Sequence, residues 1–156
     1  MSFIAGQYTA TYGGAAVGQA AEGFRLSHQF FKRLITGDSY AEAPQDAVYR
    51  GAAVELGFTA IEYNAAAMAS LIWPYGTLLD MGRVGRTDVG SSLTKALVLT
   101  AVAGTPAANA PASLTLTAAI LKEGFPVDLL MAPDLREVPL RLRAYPNTSG
   151  IFGTAT

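Results

Sequence analysis

The chain has 156 residues, the usual size of one domain, which leaves no room for a second catalytic module. Hydrophobic residues make up 51% of it and charged residues 15%, against about 25% charged in an average soluble domain. Its net charge of −1 excludes the long-range field that draws nucleic acid or an anionic membrane to a protein. Because large subunit interfaces are depleted in charge, the composition favours self-association over a compact monomer with a surface of small residues.

Two residue types limit the chemistry that is available. The chain has no cysteine and a single histidine, His28, so disulfides, thiolate metal sites and imidazole metal clusters are excluded. We therefore expect no metal and no cofactor. Residues 1–5 lack the basic region of a signal peptide, and no stretch approaches the ~20 apolar residues of a bilayer-spanning helix. These features predict neither export nor membrane contact.

Alternating apolar and polar residues predict strands from the start of the chain. Residues 7–12 alternate with period two, which is typical of a strand with one buried face. Gly13-Gly14 favours a tight turn into a second strand over residues 15–19. A third strand is predicted over residues 22–29, with an extension towards Ile35 where the phase becomes ambiguous.

The middle of the chain combines turn formers with a long strand pattern. Residues 36–46 are rich in turn formers and are predicted to leave the strands; we call this segment the polar loop. Residues 47–63 carry the longest alternating pattern, with Val48 in the buried phase and Tyr49 in the opposite phase. That opposite phase holds small or polar residues, so we expect it to face solvent or a neighbouring subunit.

Beyond residue 63 the sequence switches to helix and then back to strands. Asn64 and the alanines after it predict a short helix to residue 72, which Pro74 ends. The glycine-rich residues 75–92 predict a long connection that is partly mobile in the free subunit. Further strands are predicted at residues 93–102, 113–121 and 136–145, with a short one at 125–131 and a low-complexity linker at 103–112.

This order of elements predicts a single, mainly β domain over residues 1–156. We expect two packed antiparallel sheets, a sandwich or barrel of about seven strands, with one short flanking α-helix and long loops. The residues in consistent strand phase form the expected core: Tyr8, Tyr12, Phe24, Leu26, Val54, Leu56, Phe58, Leu97, Leu99, Leu116, Leu140 and Leu142.

Catalytic patterns are scarce, and we expect no enzyme. His28 lies in the buried phase, which favours a histidine of the core or of an interface over a catalytic base. Gly37-Asp38-Ser39 resembles the nucleophile block of some esterases, but a serine nucleophile needs a base, and His28 is the one candidate. Residues 82–86 contain spaced glycines and arginines without the lysine and hydroxyl residue of a phosphate-binding loop.

Four segments of the first half form a recognisable series: GQYTATYGG at residues 6–14 with Val17-Gly18, EGFRL at 22–26, Asp38-Ser39-Tyr40 through Pro44 and Asp46 to Arg50-Gly51, and the long strand before the Asn64 helix. Together they resemble the tail-tube (major tail) proteins of tailed bacteriophages, a fold also similar to the ring-forming tube protein of type VI secretion. After the tyrosine of the polar loop the family has a glycine, where this chain has Ala41. The second half matches that family only in strand order.

The resemblance implies a virion structural protein whose subunits close hexameric rings. Stacked rings would form a conduit for genome delivery, in contact with other tail proteins and with DNA passing without specific binding. It also implies assembly in the host cytoplasm and a place in the virion tail. The alternatives are a capsid-decorating, neck or baseplate attachment domain, and a small ligand-binding β-barrel.

The expected functional residues form subunit contacts. The polar loop offers acidic residues as charge partners and a proline that limits the entropy lost on docking. Arg141 and Arg143 share one strand face, and we expect them to pair with acids or to face a subunit contact. The predicted interface residues are Asp38, Tyr40, Glu42, Pro44, Asp46, Tyr49, Arg83, Arg86, Asp88, Arg141 and Arg143.

Overall fold

A computed structural model describes residues 8–18, 20–62, 65–76, 85–102, 111–128 and 137–156. Within these residues the chain is mainly β, as predicted, with one antiparallel sheet of eight strands and one short α-helix. The strands are β1 (Tyr8–Tyr12), β2 (Ala15–Ala16), β3 (Ala20–Thr36), β4 (Pro44–Ala60), β5 (Lys95–Ala101), β6 (Ser113–Leu121), β7 (Val138–Tyr145) and β8 (Gly153–Ala155); the helix is α1 (Ala65–Ile72), and a short 3₁₀ helix spans Asp38–Tyr40.

The sheet curves so that its two end strands approach each other. Its strand order is β2-β1-β5-β6-β7-β4-β3, with β8 also paired to β6. Laid flat, the ends of this order would lie about 29 Å apart, because neighbouring strands are separated by ~4.8 Å. The chain from Ala16 at one end to Ala20 at the other can span at most ~15 Å. Consistently, a Cβ added to Gly18 after β2 would lie 3.0 Å from Cβ of Glu62 after β4.

The core fills the concave side of this curved sheet. Of the expected core residues, Tyr8, Phe24 and Val54 pack partly buried at its margin. Leu26 was predicted to be buried but is 43% exposed, because β3 is an end strand with a neighbour on one side only in the described sheet. The remaining eight predictions are confirmed as buried: Tyr12, Leu56, Phe58, Leu97, Leu99, Leu116, Leu140 and Leu142.

The helix α1 packs against one part of this core and leaves another part open. It contacts β1, β2 and β6, and it buries Met68 and Leu71 among the core side chains. It ends at Ile72, two residues before Pro74, as the sequence predicts. No helix in the described ranges is long and apolar enough to cross a bilayer.

The polar loop is shorter than predicted. Residues at both of its ends pair across the β3–β4 hairpin, with Ile35 opposite Asp46 and Thr36 opposite Pro44. The segment is therefore the tip of a long hairpin, and only residues 37–43 lie between the strands.

Other predicted elements differ mainly at their ends. The strand over residues 113–121 has the predicted bounds, whereas the one over 93–102 is trimmed to β5. Residues 125–128 form no strand, and 129–131 lie outside the described residues. The short strand β8 was not predicted. Parts of several predicted elements fall outside the described part of the chain: Gln7, Gln19, Tyr63, Asn64, Arg136, residues 77–84 of the long connection and residues 103–110 of the linker.

A β-bulge in β4 reverses the predicted phase of the hairpin's outer half. Phe31 pairs with Gly51 but the next residue, Lys32, pairs with Tyr49, so Arg50 is the extra residue. Gly51 has φ +140, a conformation that favours glycine at the bulge. Tyr49 therefore lies on the side of the sheet that carries the core, and Val48 lies on the other side, the reverse of the prediction.

Ala41 occupies a glycine-type conformation at the hairpin tip. Its φ of 55 and ψ of −124 lie in a region that residues with a Cβ rarely adopt. The turn therefore follows a backbone path that suits glycine, with local strain at Ala41 as the result.

Candidate assembly surface

The outer part of the β3–β4 hairpin extends beyond the rest of the sheet. In the part of the hairpin nearer the core, β4 pairs with β7 over residues 54–60. Residues 29–36 of β3 pair only with residues 44–53 of β4, and no other strand of the described chain pairs with them. We call residues 29–53 the arm. At ~3.4 Å per residue, its β3 portion is about 27 Å long.

Large exposed hydrophobic side chains concentrate on the arm. Nine such side chains are exposed in the described part of the chain, and six of them belong to the arm. Phe30 is 58% exposed and Leu34 is 60% exposed. An isolated two-stranded hairpin is only marginally stable in water, and contiguous exposed apolar surface marks an interaction site. The six are Phe30, Phe31, Leu34, Ile35, Val48 and Tyr49.

These side chains divide evenly between the two faces of the arm. Phe30 lies opposite Ala52 and continues the side that carries Leu56 and the core, while Phe31 points to the other side. Following the register past the bulge, Leu34 and Tyr49 share the core side with Phe30. The face opposite the core, which we call the outer side of the sheet, carries Phe31, Ile35 and Val48. A hairpin that is apolar on both faces is suited to insertion between two other surfaces.

The tip of the arm is acidic. Asp38 lies in the 3₁₀ helix with Tyr40, and both Asp38 and Glu42 are exposed. Asp46 is exposed and its Oδ1 accepts a hydrogen bond from its neighbour's backbone N–H, that of Ala47, at 2.7 Å. No cation of the described residues forms an ion pair with these three carboxylates. Pro44, the first residue of β4, is also exposed.

An apolar groove of about 330 Å³ opens at the base of the arm, on the core side. Leu26, Phe30 and Tyr49 line one wall, and Leu114 and Phe152 line the other. His28 also lines the groove, and its ring centroid lies 5.0 Å from that of Phe30. The predicted strand phase of His28 is therefore correct, but its side chain is exposed in the single subunit rather than buried.

The outer side of the sheet carries an ionic cluster around Glu55. Arg141 Nε donates to Glu55 Oε2 at 2.6 Å, and Lys122 Nζ lies 3.0 Å from Oε1 of the same carboxylate. Arg143 lies 2.5 Å from Glu123 and 3.5 Å from Glu55. The prediction that Arg141 and Arg143 pair with acids is confirmed.

These contacts favour the charged forms of both carboxyl groups. The hydrogen bond from Lys122 lowers the pKa of Glu55, with a further contribution from Arg141, against the opposing effect of burial. The hydrogen bond from Arg143 lowers the pKa of Glu123. The two arginines are therefore partly neutralised within the subunit, which weakens their attraction for phosphate.

Asp88 anchors the connection before β5 to the body of the subunit. Its carboxylate accepts hydrogen bonds from the hydroxyls of Tyr75 and Tyr145, the second at 2.5 Å. Burial and the Asp88 hydrogen bond raise the pKa of Tyr145 to about 12. Asp88 is thus engaged inside the subunit. Arg86 is exposed, and Arg83 lies outside the described residues.

The structure does not assemble the catalytic pair that the esterase-like block would need. His28 lies on β3, and eight residues of the same strand separate it from Thr36, a distance of about 27 Å along the strand. Ser39 lies beyond that end, so the two side chains do not meet within one subunit. In the described ranges no group of three or more potential metal-binding side chains is found.

Sequence analysis identified the acidic tip but missed the apolar arm behind it. The signal was present in residues 30–35, where apolar side chains occupy both phases of β3. That pattern made the phase ambiguous, and it is typical of a strand that is buried on both faces.

Comparison with known proteins adds no assignment, since no protein-family model and no characterised protein sequence matches the chain.

Proposed function

We propose that this protein is a virion structural protein, a tail-tube subunit whose copies associate into stacked rings that form a conduit for genome delivery. The observation that carries the proposal is the arm, which is apolar on both faces and extends beyond the sheet. Its main partners in the assembly are copies of the same chain, and it also contacts other tail proteins. Hexameric rings are the stoichiometry that the family resemblance implies.

The exposed arm residues can supply a useful part of the association free energy. Complete burial of a large apolar side chain is worth ~1.5–3 kcal/mol, and these six side chains are about half exposed in the subunit. Covering them therefore contributes on the order of 6 kcal/mol for each arm. In a closed ring in which every subunit gives one arm and receives one, there is one such contact for each subunit.

The charge arrangement is compatible with DNA that passes without being held. The net charge is −1, and Arg141 and Arg143 are paired with Glu55 and Glu123. A conduit lined by unpaired cations would bind the phosphate backbone tightly and retard its movement. Ion pairing within the subunit removes part of that attraction.

Negative-stain microscopy and sedimentation velocity of the purified protein over a range of concentrations test the proposal. We expect rings or tubes at high concentration, with a subunit mass of 16.3 kDa only at high dilution. A capsid-decorating or baseplate attachment domain would use the arm on a different protein and would remain a monodisperse small particle when purified. That second result would contradict the proposal.

A further inference from the structure

A second groove, of about 250 Å³, lies on the outer side of the sheet above Gly57. In the strand register Gly57 stands between Arg25 of β3 and Arg141 of β7. A Cβ added at Gly57 would meet only the Leu140 carbonyl oxygen, at 3.8 Å, so the floor of this groove is open. Phe125 lines it as well.

The two arginines that flank the groove are well placed to hold one carboxylate. Strands are spaced by ~4.8 Å, so the Cα atoms of Arg25 and Arg141 lie about 10 Å apart across the glycine. Arg25 is exposed and forms no ion pair within the described part of the chain. Arg141 uses Nε for Glu55 and keeps donors free, since its side chain is 37% exposed. Guanidinium groups bind carboxylates through paired hydrogen bonds.

The complementary charge on this chain is at the tip of the arm. Three exposed carboxylates, those of Asp38, Glu42 and Asp46, stand there without a cation among the described residues. The charged residues that line the groove are instead two cations, Arg25 and Arg141, and one acid, Glu22. The arm's own cations do not offer an equivalent site. Lys32 and Arg33 point to opposite faces, and Arg50 is the unpaired residue of the bulge, so no two of them stand in register across a glycine.

The tip cannot reach the groove of its own subunit. Arg25 and Thr36 belong to the same continuous strand, β3, which holds them about 37 Å apart at ~3.4 Å per residue. Any contact between the tip and the groove therefore joins two copies. Because the two surfaces differ, two copies can either exchange tips reciprocally in a two-fold dimer or join head-to-tail. Only the head-to-tail contact propagates, into a closed ring or an open filament, and it is the one that the proposed rings require.

We infer that the acidic tip of one copy's arm docks in the groove above Gly57 of the next copy, with a carboxylate of Asp38 or Glu42 held between Arg25 and Arg141. The inference rests on the proposed function, because it names the receptor that the arm engages in the assembly. In this arrangement the apolar faces of the arm contact the surfaces on either side of it, and the tip fixes the position of one copy relative to the next.

Disulfide trapping tests this docking directly, because the chain contains no native cysteine. One chain carries Ser39→Cys at the tip, and a size-tagged second chain carries Ser27→Cys beside the groove on the outer side of β3. Ser149→Cys, on an exposed turn, replaces Ser27→Cys in the control mixture. Under mild oxidation we expect a mixed disulfide between Ser39→Cys and Ser27→Cys chains, and little with Ser149→Cys.

Other outcomes overturn the inference in distinguishable ways. Equal trapping at Ser149→Cys indicates random collision, and predominant tip-to-tip disulfides indicate a symmetric contact between arms. If the unmodified protein forms particles but neither trapping at Ser27→Cys nor charge dependence is found, the docking site is wrong while the proposed function stands. If the unmodified protein does not associate at all, both fall.

Two kinds of variant test the chemistry of the contact. Arg25→Glu, or Asp38→Lys with Glu42→Lys, should each raise the concentration needed for association more than about tenfold, because like charges then face each other. The three changes combined in one chain should restore association. Gly57→Val should block the groove with all charges unchanged, since the strand accepts a β-branched residue there. Association unchanged in all of these variants would overturn the inference.

Discussion

The rings of Phe30 and Tyr49 lie 6.1 Å apart on the core side of the arm, although the sequence pattern placed Tyr49 on the opposite side. The extra residue at the Gly51 bulge brings them together. This pair joins the apolar groove at the base of the arm to the exposed residues further out. The core side of the sheet therefore continues beyond the core as an apolar surface that no described element covers.

Leu26 and Leu56 are direct partners across β3 and β4, yet they differ sharply in exposure, at 43% and 0%. Leu56→Ala should lower the free energy of unfolding by ~2–5 kcal/mol, because it leaves a cavity in the core. Leu26→Ala should cost less than ~1 kcal/mol, since its side chain already meets solvent. Denaturant unfolding of the dilute protein measures both. Equal losses would show that the open part of the sheet is packed in the subunit.

Ala41→Gly should stabilise the subunit. The positive φ of Ala41 costs on the order of 1 kcal/mol, which glycine does not incur. In a chain of this size, that change corresponds to a rise in melting temperature of about 2–4 °C. Ala43→Gly is the matched control, because Ala43 has no positive φ and glycine there only adds freedom to the unfolded chain. A melting temperature that falls equally in both variants would argue against strain at the tip.

The Glu55 cluster makes stability depend on acid pH. The folded-state pKa values of Glu55 and Glu123 are lowered, so their contribution is present above the unfolded value of about 4.3 and is lost as pH falls through the folded values. Glu55→Gln should cost ~1–3 kcal/mol at pH 7 and flatten this dependence. Urea unfolding between pH 7 and 3 provides the measurement, and a parallel pH profile in parent and variant would contradict the assignment.

DNA should bind weakly to the assembled protein. Because Arg141 and Arg143 are paired with acids, we expect little retention at physiological salt. Fluorescence anisotropy with a labelled duplex, at several salt concentrations, measures it. Tight, salt-sensitive binding that Arg141→Ala with Arg143→Ala abolishes would be inconsistent with a conduit that releases DNA.

The sequence predicted most strands because each has one buried face and a regular alternation. Strand β6 was placed at its observed bounds, and the eight confirmed core residues follow this rule. The prediction failed where the local sequence pattern does not determine which surface a strand face packs against. Residues 30–35 carry exposed apolar side chains on both faces, so they give no single phase, and the bulge at Gly51 changes the phase without a change in composition. Strand β8 has three residues, too few for any periodicity.

The candidate site was only partly accessible to sequence analysis. The acidic residues of the tip followed from composition. The expectation that Arg141 and Arg143 pair with acids or face a subunit contact came from the requirement that a DNA conduit not hold phosphate, and the structure shows the pairing with acids. The groove above Gly57 did not, because Arg25 and Arg141 are far apart in sequence and meet only through the register of three strands. The hydrogen bonds of Asp88 to two tyrosines distant from it in sequence were not predicted either, and its place at an interface stays a prediction.

The most direct test of self-association through the arm is sedimentation velocity of matched serine variants. Phe30→Ser with Leu34→Ser alters the core side of the arm, and Phe31→Ser with Ile35→Ser alters its outer side. Val89→Ser with Ile151→Ser changes two equally exposed hydrophobic residues outside the arm. All six side chains are exposed, so each pair should leave the melting temperature of the dilute subunit nearly unchanged. We expect both arm pairs to shift the protein from large particles to a 16.3 kDa monomer, and the control pair to sediment like the parent. Arm variants that still assemble like the parent would contradict the account.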